Sequence, residues 1–349
     1  MSIVLQKGDV AMRNKRLFRL TAIMILVIAL VFAGCAGGEG TAGTVITDAD
    51  TPMAGYISSH TVDKDGVNAN ETAAILPEAP AVHDLIMPEA SGVLERKTNK
   101  AIIDYSNTED GYVMVKYIYT GATKIKVQVK GPSTTYTYNL TPEVWTTFPL
   151  TDGNGTYQIS VCRNIGGNRY AIDLTQSIKV ALADEFAPFL RPNQYVNYEN
   201  APNTVAMAAT LTKDVDTALE KVEVVYDYVV GNFTYDRELA QTVKSGYLPV
   251  LDNVLEAKKG ICFDYAAVMT AMLRASDVPC KLVVGYAGTA YHAWISVWSE
   301  ELGWIDGVIY FDGKSWQRMD PTFASSGGMS PEIMKYIGDG SNYTAKYFY

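Results

Sequence analysis

Three residues that can carry one reaction stand in order along the sequence. Cys262 lies in Gly260-Ile261-Cys262-Phe263-Asp264-Tyr265, His292 in Tyr291-His292-Ala293-Trp294-Ile295-Ser296-Val297-Trp298, and Asp320 in Arg318-Met319-Asp320-Pro321-Thr322. A thiol attacks a carbonyl carbon as its thiolate, so it needs a base beside it. The base in turn needs a third group to fix its ring and tautomer. Cys262 as nucleophile, His292 as general base and acid, and Asp320 as orienting carboxylate fill these roles. The reaction is acyl transfer through a thioester, with the oxyanion held by the Cys262 backbone N–H and a second donor. Taken singly, Cys262 reads as a buried structural thiol and His292 as a satisfied core histidine. Their joint order outweighs that reading. Of the three histidines, only His292 lies in patterned sequence; His60 and His83 fall in an aperiodic stretch and lack metal-ligand spacing.

The elements that must position this trio follow from local pattern. Gly260 permits a tight turn just before the cysteine, and Ala, Met and Leu carry a helix on from it. Val268, Met272 and Ala275, with Ala271 beside them, recur at helical spacing, so one face is expected to pack inward. A thiol in the first turn of such a helix meets free N–H groups and the positive end of the helix dipole, which favour the thiolate. Asp264 is expected to face away from the thiol and to cap N–H groups. His292 opens an alternating strand pattern, and Asp320 closes another that Pro321 terminates. Cys262, Cys280 and His292 lack a fourth ligand at zinc spacing, and no Gly-rich phosphate loop is present. No metal and no cofactor are therefore expected.

Gly-Ile-Cys-Phe-Asp-Tyr-Ala, His-Ala-Trp-Ile-Ser-Val and Asp-Pro-Thr, in that order, resemble the three blocks of the transglutaminase-like superfamily of papain-related cysteine enzymes. Arg274-Ala275-Ser276-Asp277-Val278-Pro279 with Val283-Val284-Gly285-Tyr286 is similar to the linker between the first two. The resemblance covers about residues 205 to 325, a single-domain span. It implies an α+β, papain-like fold in which the helix carrying the cysteine packs on an antiparallel sheet. It also implies the roles given above for Cys262, His292 and Asp320. Tyr235, in Phe233-Thr234-Tyr235-Asp236, becomes a candidate at the oxyanion, with an ordinary core tyrosine as the other reading. Cys280 departs from the pattern, since related sequences more often carry a small or polar residue there.

A chain of 349 residues suggests two domains plus a targeting segment. Its 48% hydrophobic and 19% charged residues are those of a globular protein, and a net charge of −9 argues against nucleic acid as a partner. Residues 1–35 read as a lipoprotein signal peptide: a basic run from Arg13 to Arg19, apolar residues from Leu20 to Ala33, then Phe32-Ala33-Gly34-Cys35. Met12, directly before the basic run, is an alternative start to Met1. The last four residues resemble a bacterial lipobox, which implies lipid on Cys35 and a membrane anchor facing the extracytoplasmic side. An uncleaved membrane helix is the alternative, for which the apolar run is short.

Residues 36–90 read as a flexible tether. Residues 91–184 switch to period two in Lys124–Lys130, Thr156–Val161 and Arg169–Leu174, with turns at Asp152-Gly153-Asn154-Gly155 and Ile165-Gly166-Gly167-Asn168. They are expected to form an immunoglobulin-like β-sandwich, with Cys162 on the polar face of its strand. A Cys162–Cys280 bridge stays open in an oxidising compartment. Residues 185–349 form the enzyme-like unit. A proline-marked linker leads to a helix with its N-cap at Thr212, a stripe Val215, Leu219, Val222, Tyr226, Val229 and an end at Gly231. Residues 237–258 read as a mobile connection that shapes the cleft. A hairpin of Trp304–Phe311 with Trp316–Met319 is expected, then a short helix and an aromatic tail over Pro331–Tyr349.

The function expected is a membrane-anchored monomeric cysteine enzyme acting on protein, peptide or cell-wall peptide amides. Water is the default acceptor, so hydrolysis is favoured over glutamine transamidation. A non-catalytic binding or scaffold protein that keeps the fold is the reading from a different class.

Overall fold

The computed structural model describes residues 85–121, 124–306, 309–311, 316–318 and 343–349. Cys35, the remainder of residues 1–84, the segment expected as a short helix and Asp320 lie outside the described residues. No helix among the described residues is long and apolar enough to cross a membrane.

Alternating sequence builds the first half. Its strands are β1 (Glu95–Lys97), β2 (Ala101–Asp104), β3 (Tyr112–Tyr117), β4 (Ile125–Lys130), β5 (Thr135–Leu140), β6 (Thr146–Pro149), β7 (Gly155–Gly166) and β8 (Arg169–Val180). They form two antiparallel sheets, ordered β1-β2-β3-β6 and β5-β4-β7-β8. Ile103, Val115 and Phe148 of one are enclosed with Val127, Tyr138, Ile159 and Val161 of the other. Across the two sheets the Tyr138 and Phe148 rings meet with centroids 4.8 Å apart. The patterns read in sequence coincide with β4, apart from Lys124 just before it, and lie within β7 and β8, but their polar faces are partly covered. Lys126 is buried with its ammonium 5.3 Å from the Tyr170 ring. Cys162, expected on a solvated polar face, is buried where a bulge shifts the β7–β8 register between Val161 and Cys162. Burial pushes its thiol up to about 12. Cys162 and Cys280 are both free thiols, so no bridge joins them.

The second half begins with a helix that the prolines disguise. α1 (Pro202–Thr212) starts on Pro202, whose missing N–H costs nothing at a first helical position. Thr212 therefore closes α1 rather than opening the next helix. α2 (Ala218–Asn232) opens at Thr217, whose hydroxyl accepts the Glu220 N–H while the Glu220 carboxylate accepts the Thr217 N–H. This is a capping box. Val215 lies in the turn before it, and the helix runs past Gly231 to Asn232. β9 (Thr234–Tyr235) follows. The expected mobile connection instead holds two short helices, α3 (Arg237–Thr242) and α4 (Leu251–Ala257).

β10 (Lys259–Gly260) then leads into α5 (Cys262–Arg274). Every residue of α5 from Phe263 onward is buried, so the helix is sheathed all round rather than on one face. It packs on α1 and α2 and on the strands β11 (Cys280–Ala287) and β12 (Ala290–Ser299). β13 (Gly303–Asp306) pairs with β12, whereas β14 (Ile309–Phe311) and β15 (Trp316–Arg318) pair with each other. The expected strand Trp304–Phe311 is thus two strands. The aromatic tail is β16 (Tyr343–Phe348), which completes the sheet β13-β12-β11-β16. A Cβ on Gly285 would collide with the Thr344 carbonyl oxygen, so β16 can lie this close to β11 only beside glycine.

Candidate active site

Cys262 is the first residue of α5, entered from Ile261 in extended backbone. The parallel β9–β10 pair sets Tyr235 opposite Gly260, and the Asp236 N–H donates to the Gly260 carbonyl at 2.8 Å. These bonds fix the turn on which the thiol rides. Asp264 holds the same turn from inside. One of its oxygens accepts the Ile261 N–H at 2.8 Å and the other accepts the Tyr247 hydroxyl at 2.7 Å. Desolvation pushes the fully buried carboxyl up to about 6, opposed by those two hydrogen bonds. A Cβ on Gly260 would lie 2.5 Å from the Asp264 Cβ, so the turn requires glycine.

His292 is the third residue of β12, paired with Gly285 of β11 and only 7% exposed. Its ring lies near-parallel to that of Trp294, centroids 6.2 Å apart, and Tyr343 packs edge-on against both. This aromatic setting restricts rotation of the imidazole. Cys262 and His292 line one cavity of about 120 Å3, together with Tyr195, Tyr235, Val284, Tyr291 and Tyr349. No Asp, Glu, Lys or Arg among the described residues lines it. Burial raises the Tyr291 phenol above its usual range, with smaller contributions from Tyr347, Tyr195, Tyr286 and Cys262. Tyr291 is therefore a neutral hydrogen-bond donor at neutral pH. Cys280 is fully buried, its thiol pushed up to about 11 chiefly by desolvation.

The fold thus gathers Cys262, His292 and Tyr235, residues separated by up to 57 positions, at one hollow. Asp264 caps the helix entry, as its position predicts. Sequence reasoning missed Tyr195, Tyr247, Tyr291 and Tyr349. Only Tyr291 carried a local signal, its adjacency to His292. No group of three or more His, Cys, Asp or Glu among the described residues is arranged to hold a metal ion.

A family model described as the transglutaminase-like superfamily matches residues 205–321, a span that contains Cys262, His292 and Asp320. Residues 205–321 belong to the transglutaminase-like superfamily. YebA of Bacillus subtilis, an uncharacterized protein, is 28% identical over 157 residues, which is 39% of this chain and 21% of YebA. A protein-glutamine gamma-glutamyltransferase of Pseudomonas aeruginosa is 31% identical over 68 residues, 16% of this chain and 10% of that protein. The chain therefore spans about a fifth or less of the length of these relatives. Among solved structures, the periplasmic domain of TgpA from Pseudomonas aeruginosa aligns with 62% of this chain and 94% of its own, at 16% identity and a TM-score of 0.32. The transglutaminase-like domain carries its cysteine at a helix start and its histidine on the adjoining sheet.

Proposed function

We propose that this chain is an exported, lipid-anchored cysteine enzyme that hydrolyses amide bonds flanked by an apolar side chain. One observation carries the reading: Cys262, at the head of a buried helix, and His292 line the same small apolar cavity. His292 takes the thiol proton as the sulfur attacks the amide carbonyl, giving a tetrahedral oxyanion. Donors for that oxygen are the Cys262 N–H and a phenol, Tyr235 or Tyr291. His292 then protonates the leaving amine, and the C–N bond breaks to leave a thioester. Water, losing a proton to His292, hydrolyses it and restores the thiol. Asp320 is assigned the orienting role. The absence of charged lining groups among the described residues favours an aliphatic or aromatic side chain beside the scissile carbonyl.

The strand orders β1-β2-β3-β6 and β5-β4-β7-β8 support an immunoglobulin-like module ahead of the enzyme domain. The basic, apolar and small-residue succession ending at Cys35 supports export and lipidation. Cys35→Ser is expected to move the chain from the membrane to the soluble fraction.

The test is intact-mass analysis of a peptide library incubated with the full chain, with and without a primary amine. Cleavage next to apolar residues is expected, abolished in Cys262→Ala and His292→Ala. Turnover that survives Cys262→Ala would end this reading. The Pseudomonas relative named a gamma-glutamyltransferase favours a second one, transfer of a glutamine acyl group to an amine. Amine adducts on glutamine, without cleavage, would select it.

A further inference from the structure

The cavity that holds Cys262 and His292 has a buried floor and an open side. Phe263, Val284, Ala293 and Tyr349 are buried in it, whereas Ala240 is exposed and Val243 half-buried although both line the hollow. Ala240 belongs to α3, and Val243 is the C-cap of that helix. Neither takes part in the acyl-transfer steps.

Polar bonds fix α3, and they run to the turn that carries the thiol. At the start of the helix the Asp236 carboxylate accepts the Leu239 N–H at 2.9 Å and pairs with the Lys259 ammonium at 3.1 Å. The Asp236 N–H donates to the Gly260 carbonyl at 2.8 Å. Beyond the end of the helix the Tyr247 hydroxyl donates to the Asp264 carboxylate at 2.7 Å. Residues 236–247 are thus fastened at both ends beside Cys262. Ala240 and Val243, between the two fastenings, make a positioned side wall rather than a loose flap.

Building on the acyl-transfer reading of the site, we infer that this wall sets the size of the side chain admitted beside the thiol and selects aliphatic residues over aromatic ones. The hollow holds about 120 Å3, less than the roughly 150 Å3 apolar cavity that takes up benzene. A leucine side chain is smaller than a benzyl group and needs no polar partner. At position 240 alanine leaves open the space that a longer side chain would fill. One methylene more or less in an apolar pocket changes rates about tenfold or more.

The test is alkylation of the full chain by N-acetyl chloromethyl ketones of glycine, leucine and phenylalanine. In these the side chain flanks the carbonyl, and the sulfur displaces chloride to form a C–S bond. Cys262 labelling is followed by intact mass and peptide mapping, each rate divided by that with a free thiol. The leucine reagent should exceed the glycine reagent about tenfold and the phenylalanine reagent about fivefold. Ala240→Leu puts a good helix former at an exposed position and should slow the leucine reagent about tenfold relative to the glycine reagent. Val243→Ala should bring the phenylalanine reagent level with the leucine one. Equal corrected rates for leucine and phenylalanine in the parent would overturn the inference. So would an order of rates that neither variant alters. Selective labelling without cleavage of any library peptide would end the hydrolase reading and keep the selectivity of the wall; cleavage indifferent to side-chain size would end only the latter.

Discussion

Asp264 carries a cost that titrates. Below about pH 3.8 its carboxyl is protonated whether the chain is folded or not; toward about pH 6 only the unfolded chain has released the proton. Stability conferred by the neutral form is therefore lost across that window, and the loss levels off above it. The shift amounts to a few kcal/mol, on the order of one to two per pH unit. Asp264→Asn keeps an oxygen for the Ile261 N–H and can donate to the Tyr247 oxygen, without the ionisation. Thermal melts should show the variant gaining on the parent between about pH 4 and 6, with a constant advantage above. A gap independent of pH would assign the effect to something other than this carboxyl. The thiols give a second residue-scale prediction. Cys162 and Cys280 are buried and shifted upward, whereas Cys262 is partly exposed at the cavity. Iodoacetamide at neutral pH should label Cys262 ahead of Cys162 and Cys280, read by peptide mass mapping; equal labelling of Cys280 would remove the reactive-thiol argument.

At the scale of elements, α2 rests on its capping box. Thr217→Ala removes the hydroxyl that accepts the Glu220 N–H and should cost about 1 kcal/mol, measured as a lower urea midpoint with unchanged slope. The same element shows why some of the fold was legible and some was not. Cys262 announced its helix because glycine, cysteine and a run of good helix formers share one short window, and Asp264 announced its cap by position. Thr212 misled because it stands before an apolar stripe, although Thr217 with Glu220 three residues on is the stronger start signal. Pro202 read as linker, yet proline is at home in a first helical turn. α3 and α4 are six and seven residues long, too short for a period to emerge. They are fixed by tertiary contacts such as the bonds that the Thr204 N–H and hydroxyl of α1 donate to the Asp252 carboxylate of α4. Of the cavity, Cys262 and His292 were legible from type and chain order, and Tyr235 only through the family resemblance. Tyr195 and Tyr349 were not, because only the folded chain brings them beside the thiol.

Over the whole described molecule, the sheets ahead of the enzyme domain and the domain itself share one apolar core. Tyr349 is its keystone, with ring centroids 5.6 Å from Tyr136 and 5.8 Å from Tyr138 on one side and 4.4 Å from Tyr195 on the other. Polar bonds reinforce the seam. The Thr151 hydroxyl donates to the Phe348 carbonyl at 2.8 Å. Buried Arg274 of α5 donates to the carbonyls of Arg191 at 2.7 Å, Tyr349 at 2.6 Å and Cys280 at 2.9 Å. A shared core makes the two halves unfold together, because neither can lose the seam without exposing the other's aromatic surface. Tyr349→Ala should remove about 3–5 kcal/mol, the usual range for truncating a large buried aromatic. Hydrogen exchange reads the consequence directly: amides of β4 and β7 and those of α5 should lose the same opening free energy in the variant. Protection retained in β4 and β7 while α5 loosens would show two separately stable units. Because Tyr349 also lines the cavity that holds Cys262 and His292, the proposed function implies that the variant should accept larger apolar side chains in any residual turnover, linking the packing of the seam to the selectivity of the site.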